Sequence, residues 1–192
     1  AIVALNSTQG SPTSEYQRAR LAAVLCEAYL GRGLAQLEEA AGTEEDEELF
    51  IRQALADFEA GMTACPRRTD LRHEAEQASA YLKVLTMEWY SYEKLIESLR
   101  PLVATSPDYM QGRARELLYQ AYLQRAYDHQ LASEPVAAIL ADYEAALALQ
   151  VADPSEAQTR RAKLLQSMVQ PLAETVIEET DHSSPESVKT KP

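Results

Sequence analysis

The sequence predicts an all-α chain whose helices pair into antiparallel hairpins that stack in chain order. Three observations carry this. Ala, Leu, Glu, Gln and Arg, all strong helix formers, fill long stretches, and only six Gly and nine Pro punctuate 192 residues. Apolar residues recur near helical spacing in seven segments, without strand-like alternation. The tripeptide Ala-Tyr-Leu occurs three times, at Ala28-Tyr29-Leu30, Ala80-Tyr81-Leu82 and Ala121-Tyr122-Leu123.

The first helix is expected from about Ser14 to Ala41, with Leu21, Leu25, Ala28, Tyr29, Leu34 and Leu37 on its apolar stripe and Gly42 as its stop. Thr43 reads as the next N-cap, and the acidic run Glu44 to Glu48 sits where a helix dipole favours negative charge. The second helix continues through Leu49, Ile51, Leu55, Phe58 and Met62 to about Cys65, closed by Pro66. Asp70 is read as the cap of a third helix carrying Ala78, Tyr81, Leu82 and Leu85. A break near Trp89 to Tyr92 leads to a fourth with Leu95, Leu99 and Leu102 before Pro107. The fifth is expected from about Asp108 to Leu131. Ser133 reads as the cap of a sixth, with Pro135 in its first turn. Asp153-Pro154 opens a seventh, which Pro171 should interrupt or end, with Leu172 to Glu179 as a short continuation.

The length fits one helical domain over 14–179, between a flexible segment 1–13 and a polar, disordered tail 180–192. Ala1 to Leu5 and the following "NSTQGSPTS" read as a trimmed or processed start. Lys and Arg number 18 against 30 Asp and Glu, a net charge of −12 that repels nucleic-acid backbones and anionic lipid surfaces. No run approaches the roughly 20 apolar residues of a membrane span. The reading is a soluble chain, cytoplasmic or extracytoplasmic with an upstream anchor or signal removed.

Cys26 and Cys65 are the only cysteines. For a hairpin turning between Gly42 and Glu45 they are out of register by about four to seven residues, roughly 6 to 10 Å. A disulfide needs Cα atoms within about 7 Å. Two buried thiols are the simpler reading, with a disulfide as the alternative.

The second and fourth helices close with the same spacing, Ala54-x3-Phe58-x2-Gly61-x4-Pro66 and Leu95-x3-Leu99-x2-Leu102-x4-Pro107, 41 residues apart. The sixth offers Ile139-x3-Tyr143-x2-Ala146, its proline delayed to Pro154. In the first helices, Tyr29 is followed four places later by Gly33 and Tyr122 by Ala126, whereas Tyr81 is followed by Leu85. This pattern resembles the tetratricopeptide repeat, in which a small residue admits an aromatic from the partner helix. The resemblance implies a right-handed α-α superhelix of about three hairpins, in units 14–66, 67–107 and 108–152, with a capping helix 153–179. The tyrosine-to-aromatic gaps are uneven, at 29 (Tyr29 to Phe58), 18 (Tyr81 to Leu99) and 21 (Tyr122 to Tyr143). The first unit therefore holds about nine extra residues, mostly in "GTEEDEELF".

No catalytic constellation stands out. His73, His129 and His182 share no ligand spacing with the cysteines, and Gly31-Arg32-Gly33 lies within a helix, where close packing explains it better than phosphate binding. The expectation is a non-enzyme without cofactor or metal. By resemblance, it is a protein-interaction or scaffold module binding a peptide or partner helix in a concave groove. The groove candidates are Leu30, Leu34, Leu82, Thr86, Trp89, Leu123 and Tyr127, with packing between units as their alternative role. Some members of the family clamp a C-terminal carboxylate with Lys, Arg and paired Asn. Here the one Asn is Asn6, outside the repeats, and Lys83, Arg113, Arg115 and Arg125 are expected mostly in ion pairs with neighbouring helices. The alternatives are an extracytoplasmic sensory or ligand-binding domain of a membrane-anchored protein, and self-assembly through an apolar edge.

Overall fold

The computed structural model describes residues 14–87 and 91–181, with side chains through 168. Seven α-helices follow one another: α1 (Glu15–Gly42), α2 (Glu47–Ala64), α3 (Thr69–Leu85), α4 (Tyr92–Thr105), α5 (Arg113–Leu131), α6 (Val136–Ala148) and α7 (Ser155–Asp181). A tight turn, Tyr109–Gly112, separates α4 from α5. No strand occurs among the described residues, so the fold is all-α. Each helix packs chiefly on its neighbours in sequence, and the Tyr109–Gly112 turn also leans back on α1.

One core runs through these layers. Leu25, Ile51, Phe58, Leu71, Tyr81, Val84, Leu99, Leu118, Leu123 and Tyr143 are fully buried, and the cluster extends to Ala157 at the start of α7. Most helices bury apolar residues against their neighbours in sequence, so no single hairpin is self-sufficient and stacking is the way to bury both faces.

The helix bodies lie where the sequence places them; several ends do not. Ser14 caps α1, its side chain accepting from Gln17 N at 3.2 Å. Thr43 is instead the extended residue that ends α1, and α2 begins at Glu47 after Asp46. Asp70 lies within α3, after Arg68 as the cap residue, and its Oδ1 accepts from Leu71 N. The α5 helix starts at Arg113 because Met110, Gln111 and Gly112 take left-handed conformations, with φ of 52°, 54° and 86°. Ser133 does not cap α6. It sits at φ 56°, closing α5, while Pro135 precedes the first turn of α6. Pro171 does not end α7, and Pro101 likewise lies inside α4. An interior proline gives up its own backbone donor and crowds the carbonyl four residues back, a local cost after which the helix continues.

Candidate binding surface

Helix contacts in the first hairpin come from small residues. A Cβ on Gly33 of α1 would lie 2.8 Å from Phe58 Cζ of α2 and nearer still to Cε1, so the ring fills the space that glycine leaves. Gly61 of α2 is gripped from both sides, by Tyr29 of α1 and by Leu71 of α3. Gly31, by contrast, has open space where a side chain would be. Close packing therefore explains one glycine of the Gly31-Arg32-Gly33 trio and not the other.

The first and third hairpins share one charged arrangement. Asp57, almost wholly buried on α2, is held by Arg32 of α1, whose Nε lies 2.5 Å from Oδ2. The guanidinium also stacks over the Tyr29 ring, 5.7 Å from its centre. In the third hairpin Asp142 of α6, equally buried, takes Arg125 Nη2 at 2.5 Å and Nε at 3.1 Å, and Arg125 lies 5.5 Å over the Tyr122 ring. Both arginines are pushed further up by the carboxylate hydrogen bond. The signal was present in sequence, since Ala28-Tyr29-Leu30-Gly31-Arg32 matches Ala121-Tyr122-Leu123-Gln124-Arg125, and Leu55-Ala56-Asp57-Phe58-Glu59-Ala60 matches Leu140-Ala141-Asp142-Tyr143-Glu144-Ala145. It is missed when only apolar positions are compared.

No family model, curated protein or solved structure matches this chain. Its organisation is accordingly read from its own internal repetition.

The middle hairpin departs from that pattern. Val84, fully buried, stands where the other first helices carry arginine, and the repeated tyrosine finds its polar partner elsewhere. Tyr81 Oη donates to the buried Glu47 carboxylate at 2.7 Å, and Arg113 Nε approaches the same carboxylate at 3.7 Å. Burial, with the Glu47 contact, raises the Tyr81 phenol well above its ordinary range. The ring meets Tyr109 edge-on, with centres 5.7 Å apart. Glu47 is thus more than a charge at a helix start: it joins α2, α3 and α5.

The groove candidates separate by depth. Leu123 is fully buried and serves the core. Leu30 and Leu82 are half-buried against it. Leu34 (43% exposed), Tyr127 (45% exposed) and Thr86 face solvent, and Trp89 lies outside the described residues. Leu34 borders a hollow of about 310 Å³, and Tyr127 one of about 340 Å³ between α5, α6 and α7.

Three of the four named cations are engaged. Arg113 binds Glu44 at 2.8 Å, Arg115 lies 3.6 Å from Asp108, and Arg125 holds Asp142, while Lys83 is exposed. His73 Nε2 is 3.0 Å from Gln77 Nε2, His129 Nε2 is 3.6 Å from Asp142 Oδ2, and His182 lies outside the described residues. Among the described residues, no group of three or more His, Cys, Asp and Glu is placed to hold a metal ion, and no helix is long and apolar enough to cross a membrane.

Cys26 and Cys65 form a disulfide, with Cα atoms 6.2 Å apart. The thiol reading is corrected by the later start of α2. A turn centred between Gly42 and Glu47 leaves the cysteines about two residues out of register, roughly 3 Å.

Proposed function

We propose that the chain is a non-enzymatic binding module, a tetratricopeptide-like right-handed stack of three hairpins and a capping helix, whose first helices receive a peptide or partner helix. The observation that carries this reading is positional. Leu34, Thr86 and Tyr127 each stand five residues after the repeated tyrosine, and all three are exposed. Leu34 and Tyr127 lie on the first helices of their hairpins and Thr86 is the residue that ends α3, and a row across stacked hairpins suits an extended peptide or a partner helix. Two of the three are large apolar groups in water, which is what a contact surface offers.

The test is selection of a displayed library of random peptides, with each recovered peptide measured against a triple variant, Leu34→Glu, Thr86→Glu and Tyr127→Glu. Binders should weaken at least about tenfold on that variant, a loss of ~1.4 kcal/mol, while its thermal unfolding stays close to that of the parent. Peptides indifferent to the substitutions, or a library that yields none, would remove the groove.

The disulfide favours a second reading of place, in which this is an extracytoplasmic sensory or ligand-binding domain of a membrane-anchored protein. Structural disulfides persist in oxidising compartments and are rare where thiols are kept reduced. Recovery of the oxidised form from the native source, with thiols blocked at lysis, supports that placement; recovery of free thiols opposes it.

A further inference from the structure

Helices α5 and α7 both pack on α6 and run side by side in the same direction. Ala157 N, at the start of α7, donates to Tyr119 Oη of α5 at 3.2 Å. About two turns on, Tyr127 of α5 and Leu164 of α7 line the same hollow of about 340 Å³. One further turn brings Leu131 (67% exposed) level with Met168 (43% exposed). Four apolar side chains thus follow one seam, which is more than the singly exposed apolar groups that any surface carries. The charges beside the seam have one sign. Arg160 and Lys163 of α7 line the hollow, Gln130 of α5 lies among its uncharged polar groups, and no carboxylate is among the lining residues. Tyr143 forms the floor and takes a hydrogen bond from Arg160, which also pairs with Glu156 one turn back at 2.6 Å. Lys163 is exposed and is in no ion pair among the described residues.

We propose that this seam receives an acidic amphipathic helix from a partner protein, its apolar stripe on Tyr127, Leu131, Leu164 and Met168 and its carboxylates along the α7 side, against Arg160 and Lys163. Two parallel helices with a gap between them offer a groove into which the ridge of a third helix fits. The sign of the charge selects the occupant. A net charge of −12 repels an acidic partner from most of the surface, so a patch whose lining charges are both positive fixes where such a partner lands and in which register. Arg160 is held by Tyr143 and Glu156, and its guanidinium carries more N–H donors than those two partners use. Lys163 adds a point charge on a flexible stem that can lie along the apolar seam. Glutamates on one flank of a helix recur every three or four residues, which matches two cations three residues apart on α7. An uncharged helix would strip water from Lys163 without replacing it. A second copy of this chain is a poorer match, because its own acidic run is partly committed, Glu44 to Arg113 and Glu48 to Arg52.

The proposal rests on the groove reading, because Tyr127 belongs to both, and adds the chemistry of the partner. It is tested by ¹H–¹⁵N NMR titration of the full chain with an acetylated, amidated peptide made of two copies of Leu-Ala-Ala-Leu-Glu-Gln-Gln, whose glutamates flank the leucine stripe. The comparison is the same peptide with lysine in place of glutamate. Saturable shifts at residues 127–131 and 160–168 are expected from the glutamate peptide, with affinity at least about tenfold higher than for the lysine peptide. Lys163→Glu, at an exposed and unpaired position, should unfold at the parent temperature and erase that preference. Leu131→Ser with Met168→Ser should weaken both peptides several-fold and leave their ratio unchanged. Equal affinity for the two peptides on the parent, no saturable shift, or a preference that survives Lys163→Glu would each overturn the assignment. Concentration-dependent sedimentation of the free chain that Lys163→Glu removes would give the seam to a second copy and overturn it as well. The two readings fail separately. Library binders lost on the Leu34, Thr86 and Tyr127 triple variant but indifferent to Lys163→Glu, with no response to the glutamate peptide, would keep the groove and discard the acidic helix. Saturable shifts from the glutamate peptide without any library binder would do the reverse.

Discussion

The guanidinium of Arg125 reaches from α5 to grip the buried Asp142 carboxylate of α6, 2.5 Å from Nη2 to Oδ1. Arg32 and Asp57 repeat that grip two hairpins earlier. A carboxylate so far out of water is tolerable only with a cation in place, so removing the cation costs more than the pair contributes. Arg125→Ala should lower unfolding stability by about 3 kcal/mol, and Arg125→Lys should recover only part of that, because lysine cannot supply the paired fork. The double variant Arg125→Ala, Asp142→Ala should be less destabilised than the sum of the singles. Urea unfolding of the four proteins checks this, and strict additivity would mean that the two groups do not interact.

Two glycines separated by a single residue, Gly31 and Gly33, should respond with opposite signs. Gly33→Ala drives a methyl into the Phe58 ring and should cost about 1–3 kcal/mol. Gly31→Ala meets open space and should gain about 0.5–1 kcal/mol from helix propensity. Thermal unfolding decides both, and a tolerated Gly33→Ala would show that the two helices can move apart.

The disulfide closes a sequence separation of 39 residues. Loop-closure entropy for that length is worth about 4 kcal/mol. Cys26→Ser with Cys65→Ser, or reduction of the parent, should shift urea unfolding by an amount of that order, with the helical signal kept at low denaturant. Equal stability with and without reductant would mean the bond adds nothing to the fold.

Two acidic groups on α3 should act oppositely with pH. Asp70 is held at about 2, first by its hydrogen bond to Arg68 and also by the Leu71 amide. Its folded value lies below its ordinary 3.8, so its stabilisation is present above the ordinary value and fades as pH falls through about 2. Glu74 is raised by burial. Its charged form is disfavoured in the folded chain, so stability falls as pH rises from the ordinary value of 4.5 through the raised one. Asp70→Asn should flatten the acid limb of stability against pH, and Glu74→Gln should flatten the limb just above it. A carboxylate NMR titration giving Asp70 an ordinary midpoint would refute the first assignment.

The all-α class, the number of helices and their bodies were legible, because apolar spacing survives whatever the tertiary partners are. The contact of Phe58 with Gly33 was legible for the same reason, a small residue opposite an aromatic at fixed register. Capping was less so: Thr43, Asp70 and Ser133 are all plausible caps by residue type, and the helices begin elsewhere. The disulfide turned on a shift of a few residues in where α2 begins, finer than periodicity resolves. Asp57 and Asp142 were hidden because charged residues are ordinarily assigned to solvated faces, and only their arginine partners make burial tolerable. The three consecutive left-handed residues before α5 follow from no local signal except Gly112.

That bend has a consequence for taking the molecule apart. Since residues 109–112 rest against α1 as well as α5, the amino-terminal hairpin is braced by a segment that arrives only after two hairpins have been laid down. Fragments ending at Thr105 would leave that face of α1 bare, and shuffling or duplicating hairpins as if they were interchangeable bricks would have to carry the bend along with them.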